Sequence, residues 1–569
     1  MKAIKIYLIF FFVALVFQNC SDLLDRDPET NTTLEYEGIF KNTHSAPGFL
    51  NRAYNYLPSG FSFMGDAMLA SACDEAKHSD AGSLIHLLNN NAISPTYNPD
   101  NVWDNMYRGI RICNIFLKEL DPNRGLIGKY NSIPQADRDN YKGQALFLRA
   151  FFHFELIKRY QNIFCVSKVL DPLQEEEIFD IPQSDFQDAA NFIANDCDSA
   201  AKYLPTILKD KEANAGRPTK AAPMALKSRL LLYAASPLNN PDRNVELWAK
   251  AEKAAKDVYD NASSLGLVLL SDYGKIFSTP YNEEVIFATK ADNINTIEQN
   301  NFPISYQGKG LTNPTQELVD CYAMVSSTYA SPMSGYVATD PYGLAGKKRE
   351  ARFYATILFN NQDFKGAKVE SYVGGKDGLY STSTATKTGY YLRKFVMPDV
   401  DLTLGQTVRH SWILFRYAEI ILNYAEARNE VLDSPGSDKL LHDLLNLIRL
   451  RAGLRNFRSS SEYIKSKDEM REYIKLERRK ELALEEHRFW DLRRWKDMSA
   501  LQAAIHGVKI QKVQNGSDSL GNPIYSFTYE SFKVEDRSFD EKFLWYPIPR
   551  AEVLKYKNKG VVIKQNAGW

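Results

Sequence analysis

Apolar residues recur along this chain at helical spacing in several long segments. In residues 141–160, Ala145, Leu148, Phe152, Leu156 and Tyr160 form one stripe. Phe147, Phe151, Phe154 and Ile157 form a second, so the segment is apolar on much of its circumference and is expected to be buried. Residues 103–120 place Trp103, Tyr107, Ile110, Asn114 and Leu117 on one side, which assigns Trp103 to the core. That helix should stop at Asp121-Pro122, because proline disfavours helical geometry in the residue before it. Residues 185–204, 220–235 and 245–261 repeat the pattern, and further helices are predicted over 411–432, 440–452 and 468–497. Helices of this length with short linkers predict a mainly α fold, a superhelical body of tetratricopeptide-like helix pairs. The spacing is too irregular for a strict repeat of about 34 residues.

Residues 262–408 break the pattern. They are rich in Gly, Thr, Asn and Tyr, hold β-prone pieces such as 284–289, and include the turn run Gly374-Gly375-Lys376-Asp377-Gly378. The expected organisation is a helical N-terminal part over 36–261, a loop-rich insertion with a little β over 262–408, and a helical C-terminal part over 409–569. A Gly/Asn/Ser-rich loop is expected between the last long helix and the tail. Long loops on a rigid helical body are where binding residues concentrate.

The N-terminus follows different rules. Lys2 and Lys5 precede an unbroken apolar run over residues 7–17, too short to span a bilayer as a helix but suited to a secretory signal over 1–19. Cys20 directly follows, and the arrangement resembles a bacterial lipoprotein signal, although Gln18 and Asn19 stand where small residues are usual. The resemblance implies that Cys20 becomes the mature N-terminus and carries an acyl anchor of the palmitate kind, with residues 20–35 as a tether. Ordinary cleavage with Cys20 as a bystander is the alternative. No later segment approaches eighteen consecutive apolar residues, so membrane attachment is expected through the N-terminal lipid alone. The other cysteines, Cys73, Cys113, Cys165, Cys197 and Cys321, are odd in number and contain no C-x-x-C pair, and buried free thiols are expected.

Charge removes one class of function. The chain has 70 Lys and Arg against 70 Asp and Glu, without the basic surplus that a nucleic-acid binder needs. Aromatics reach 12 % of residues, with 32 Tyr, 31 Phe and 7 Trp; such rings fill cores or present flat faces to sugars and peptides.

The most charged segment, 477–495, offers Glu481, Glu485, Glu486, His487 and Asp491. It contains no H-E-x-x-H and no third ligand at metal-like spacing, so no metal site is assigned. Its alternating signs instead predict i, i+3 ion pairs, Arg478 with Glu481 and Glu485 with Arg488, in a structural helix. Arg416, Glu419, Asn423 and Glu426 would share one helical face and cross-link neighbours, while Arg149 and Glu155 in the apolar helix need buried partners. There is no G-x-S-x-G elbow, P-loop or dinucleotide-binding glycine pattern, and Asp74-Glu75 are merely adjacent. No catalytic residue and no cofactor are assigned. Ligand contacts are expected where aromatics stand beside amides and hydroxyls. Residues 58–102 hold Phe61, Phe63, Tyr97 and Asn98, and residues 281–310 hold Tyr281, Asn293, Asn295, Gln299, Tyr306 and Gln307. Phe63, Tyr97, Asn98, Tyr281, Asn293 and Tyr306 are the candidate binding residues.

Five ordered segments together resemble the SusD/RagB family of outer-membrane nutrient-binding lipoproteins from Bacteroidetes. They are residues 143–150, 311–320, 416–427, 477–495 (ending Arg488-Phe489-Trp490-Asp491-Leu492-Arg493-Arg494-Trp495), and the tail Tyr546-Pro547-Ile548-Pro549 with Gln565-Asn566-Ala567-Gly568-Trp569. Arg349-Glu350-Ala351-Arg352-Phe353 departs from the family pattern, which has Asp-Pro before the second Arg. The resemblance implies a lipid-anchored protein of the outer membrane, facing the cell exterior, that lies as a lid over a TonB-dependent barrel of the SusC type. It would capture oligosaccharide or polysaccharide fragments and deliver them for import. Capture of peptide- or protein-derived nutrients in the same arrangement is the alternative, and a glycan-active enzyme a distant third.

Overall fold

The computed structural model describes residues 36–171, 173–325, 333, 335–456 and 466–569; the signal segment, Cys20 and the tether over 20–35 lie outside them. The longer helices are α1 (Ser45–Tyr54), α2 (Trp103–Glu119), α3 (Gln135–Ile157), α4 (Phe186–Tyr203), α5 (Ala221–Ala235) and α6 (Val245–Asp260) in the N-terminal part. They continue with α7 (Tyr417–Val431), α8 (Lys439–Arg451), α9 (Lys467–Glu481), α10 (His487–Arg494) and α11 (Arg550–Asn558). Helix starts have local causes. Asp185 accepts a hydrogen bond from the Asp188 N–H ahead of α4, and Ser466 and Glu469 form a reciprocal capping box at α9. Helix α3 begins before its apolar stripe, after Pro134, with residues 135–137 exposed and 138–140 half-buried in its first turns.

Each helix from α2 to α6 packs on the next in chain order, and α6 packs on α7, which gives the stacked helix-pair body. Gly109 on α2 permits a close approach to α3, since a Cβ there would lie 2.6 Å from the Phe152 ring. Every residue of α3 from Gly143 to Ile157 is buried, as its two stripes predict. Its charges find partners: Arg149 grips Asp196 through two hydrogen bonds of 2.7 and 2.8 Å, and Glu155 meets Lys158 and Arg159. Trp103 is 3 % exposed, and all five cysteines among the described residues are free thiols.

Helix outweighs strand 43 % to 12 %, and among the described residues every sheet has only two strands. The strands that matter here are β1 (Ala76–His78), β2 (Val285–Ala288), β3 (Asp292–Ile294), β4 (Thr312–Pro314), β5 (Val408–His410), β6 (Ile413–Arg416), β7 (Ile505–Ser517) and β8 (Pro523–Glu535). One apolar core collects residues from all parts of the chain, Phe40, Phe353 and Ile548 among them.

Three expectations are corrected. Residues 411–432 are not one helix: Ile413–Arg416 is strand β6, paired with β2, and the helix begins at Tyr417. Ile413, Leu414 and Phe415 suit a buried strand as well as a helix, and a partner strand decides. Residues 468–497 break between α9 and α10, where Leu484 (φ 64°) and Glu486 (φ 68°) take left-handed backbone. Neither expected i, i+3 pair forms: inside α9 Arg478 turns to Asp491 and Glu481 to Arg416, while Glu485, in the break, pairs with Arg416 and Lys394 and Arg488 with Asp74. The Gly/Asn/Ser-rich loop is the tip of a long hairpin, β7 to β8, whose strands extend well beyond it.

Candidate functional site

Most of the charge in the C-terminal motifs is spent inside the protein. Arg416 donates to Glu485 at 2.6 and 2.8 Å, to Glu481 at 2.7 Å and to Glu284 at 2.9 Å, and is only 1 % exposed. Arg451 bridges the same Glu284 and Glu481, and Arg352 joins Glu350, Glu477 and Glu481. Lys394 closes the network on Glu485 and on the Tyr273 hydroxyl. Burial alone would raise the Glu481 pKa, but the guanidinium groups of Arg451, Arg416 and Arg352 overcome it and hold the carboxyl far below its usual range. For Lys394 burial dominates, and its pKa falls to about 8 despite Glu485. The break at 482–486 is what lets Glu481 and Glu485 face Arg416 together, while Arg488 turns to Asp74 and Arg478 to Asp491. Arg416 itself precedes α7 rather than sharing its face with Glu419, Asn423 and Glu426; Glu419 pairs with Arg229 and Glu426 with Arg494.

Asp74 and Glu75 belong to the same frame. Asp74 accepts from Arg479 and Arg488 at 2.9 Å, and these cations outweigh burial and keep it ionised. Among the described residues the Glu75 carboxyl receives only the Leu484 N–H; burial, reinforced by the charge of Asp74, pushes its pKa up to about 8. Among the described residues no group of three or more His, Cys, Asp or Glu could hold a metal ion.

Binding chemistry is found where this frame presents loops. Strand β1 pairs antiparallel with β4, Lys77 opposite Asn313 and His78 opposite Thr312, and thereby fastens loop 58–102 to the end of loop 281–310. The ladder continues through the Ser79 N–H to the Leu311 carbonyl at 2.8 Å and the Thr315 hydroxyl to the Asp74 carbonyl at 2.7 Å. Buried Asn313 then accepts from the Lys387 N–H at 2.8 Å and ties in the segment that carries Tyr380. Tyr380 is 71 % exposed, with the Lys387 ammonium 5.7 Å from its ring. Lys77 pairs with Glu535 at the end of β8 and lies 3.4 Å from His86 Nδ1. His86 Nε2 and the Asp80 carbonyl are 2.9 Å apart, and His78 stands edge-on to the His86 ring. Burial lowers the pKa of both histidines and favours neutral rings; burial and the nearby Lys77 charge lower that of Lys387. Exposed Tyr380, with Lys387 beside it, thus stands at one end of a run of neighbouring polar groups that passes through Lys77 to His86 and Glu535, donors and acceptors of the kind that sugar hydroxyls require.

The six candidate residues do not form one site. Tyr306 is nearest to this cluster: it packs on Phe364 at 5.1 Å, and its neighbour Ser305 binds Asp377, three residues before Tyr380. Tyr281 and Asn293 lie together elsewhere. Tyr281, with φ 57°, takes the Ala291 N–H on its hydroxyl and lines a cavity of 180 Å³ with Lys211, Asn214 and Arg217. Asn293 sits exposed on β3 opposite Arg409 on β5. Tyr97 is 52 % exposed in a turn closed by Ser94, beside the Pro95 carbonyl that receives the Arg550 N–H of the tail. Asn98 turns its Oδ1 to the Asp100 N–H, and Phe63 is half-buried against the core. Lys77, His86, Tyr380 and Lys387 were not singled out from the sequence. Tyr380 stands in a Gly/Ser/Thr-rich turn and meets the same criterion that selected Tyr306; the other three become visible only through the β1–β4 pairing.

The fold and its loops define a helical binding protein of the SusD type. The chain belongs to the SusD family, whose model matches residues 275–569, and a second model, described as starch-binding associating with the outer membrane, matches residues 27–232. It is similar to SusD-like protein P38 of Formosa agariphila, 23 % identical across 88 % of this chain and 92 % of that one. A SusD-like protein of Bacteroides fragilis superimposes with a TM-score of 0.73 at 27 % identity, covering 93 % of this chain and 98 % of the other. A SusD-like carbohydrate-binding protein of the same organism gives 0.71 at 23 %, covering 90 % and 98 %.

Proposed function

We propose that this protein captures oligosaccharides at the outer membrane and delivers them to a TonB-dependent transporter of the SusC type, acting by binding rather than by catalysis. The observation behind this reading is exposed Tyr380 with the Lys387 ammonium beside its ring, on a segment that Asn313 ties to the β1–β4 pairing next to Lys77 and His86, while the strongest charges are consumed in the frame. A sugar ring stacks its C–H face on Tyr380, and its hydroxyls meet Lys387, His86 and Asp80. Tyr306 extends that surface, and Tyr281 with Asn293 offers a separate contact. Cys20 carries the lipid that keeps the body at the membrane, with the binding surface turned outward.

Titration of the purified protein with neutral oligosaccharide and peptide panels tests the ligand class. Saturable binding of an oligosaccharide without turnover is expected; saturable binding of peptides alone would replace the glycan reading with the peptide one. Co-purification of a large barrel with the tagged protein from native membranes tests the partner, and its absence would count against delivery. Loss of lipid labelling in Cys20→Ala is expected, and unchanged labelling would refute the anchor.

A further inference from the structure

A second cleft lies on the helical body, far in sequence from the β1–β4 loops. Its volume is 760 Å³, within the range that accommodates small-molecule ligands. The turn between α5 and α6 forms one wall, and residues of α7, α9 and the end of α10 form the other, with Trp248 and Trp495 among the lining groups.

Its charge is lopsided. Five cations line it, Arg243, Lys467, Arg471, Lys475 and Lys496, against Glu426, Glu430 and Asp468. Those carboxylates are largely taken: both oxygens of Glu426 are held by Arg494, and both oxygens of Glu430 by Arg471, which also reaches Asp468. Among the described residues Arg243 and Lys467 have no carboxylate partner; Lys467 donates only to the Glu430 carbonyl at 2.7 Å. Lys475 and Lys496 are held by Glu472 and Glu541, both largely exposed, which are weak claims on them. Trp248 is 8 % exposed and its indole N–H meets no acceptor among the described residues, although Trp495 donates its own to Glu426 at 2.7 Å. Val245 and Lys467, the first residues of α6 and α9, also line the cleft, so two helix N-termini add positive potential there.

We infer that this cleft is a second binding site, and that it takes the anionic group, a carboxylate or sulfate ester, of an acidic oligosaccharide. Uncommitted cations and a free indole donor select an anion, and a space far larger than one oxyanion selects a saccharide that carries it. The choice of a saccharide rests on the glycan-binding reading; the choice of an anion does not.

The test is titration of the purified protein with sulfated and uronate oligosaccharides, their neutral counterparts, and inorganic sulfate. The variant is Arg243→Asn with Lys475→Gln; asparagine tolerates the left-handed backbone at 243, where φ is 53°. Saturable binding of an acidic oligosaccharide is expected, weakening at least tenfold in the double variant and as salt rises, with neutral-glycan binding and the melting temperature unchanged. Binding of inorganic sulfate as tight as that of the oligosaccharide would assign the cleft to a free oxyanion and overturn the saccharide. No saturable acidic ligand, or one indifferent to both substitutions, would overturn the site. Failure of the neutral glycans alone would count against the loop surface and leave this result readable.

Discussion

The Arg416 network and the β1–β4 loop surface use the same side-chain types to opposite ends. In the network, the Arg416, Arg352 and Arg451 side chains are almost wholly buried, and Glu284, Glu477, Glu481 and Glu485 each serve two or three cations. On the loop surface Lys77, His86 and Lys387 remain partly open, with few carboxylates to occupy them. Burying a charge is tolerable only when it is fully paired, so the network gives register to the body and has nothing left for a ligand. Partly open groups beside an exposed ring add little to stability and can exchange water for sugar hydroxyls. Density of charged motif residues therefore marks the frame, and recognition belongs to sparse loops.

That contrast makes quantitative demands. Arg416→Ala leaves Glu284, Glu481 and Glu485 short of a shared cation and should cost about 3–5 kcal/mol in urea unfolding; a loss under about 1 kcal/mol would remove the network from its structural role. Gly109→Ala forces a Cβ against Phe152 at the α2–α3 crossing and should cost about 1–3 kcal/mol without altering the loops.

Glu75 gives the pH dependence. Its folded pKa is raised from 4.5 to about 8, so the folded state holds a proton that the unfolded state releases in that interval. Its contribution is fully present below the unfolded value and is lost as pH rises through about 8. Glu75→Gln, which keeps the neutral form, should match the wild type at low pH and become the more stable of the two toward pH 8, read from melting temperatures across the range. Parallel curves would contradict the burial argument. Asp74→Asn should destabilise throughout the neutral range, because Arg479 and Arg488 lose their carboxylate.

Much of the frame was legible in the sequence because its signals are local. The stripes of α2 to α6 announce themselves at helical spacing, and Pro122 ends its helix as a proline should. What escaped depends on partners distant in the chain. Residues 413–416 become a strand only because 285–288 lie beside them, and the break after Glu481 follows from the need to bring two carboxylates to Arg416. The binding surface shows the same limit. Both loop stretches could be chosen for their aromatics and amides, but the pairing of Lys77 with Asn313 is what brings Lys77 and His86 alongside the segment that carries Tyr380 and Lys387. Without that pairing, Tyr97 and Tyr281 rank equally with Tyr306.

Frame and recognition surface are separable parts of the molecule. The most direct measurement is calorimetric titration of the oligosaccharide panel into the wild type and into Tyr380→Ala with Lys387→Ala, with melting temperatures taken on the same samples. Affinity at least tenfold weaker is expected, at a melting temperature unchanged within about 2 °C, as for surface substitutions worth under about 0.5 kcal/mol. Unchanged affinity, or a fall in affinity that tracks a fall in melting temperature, would contradict that separation.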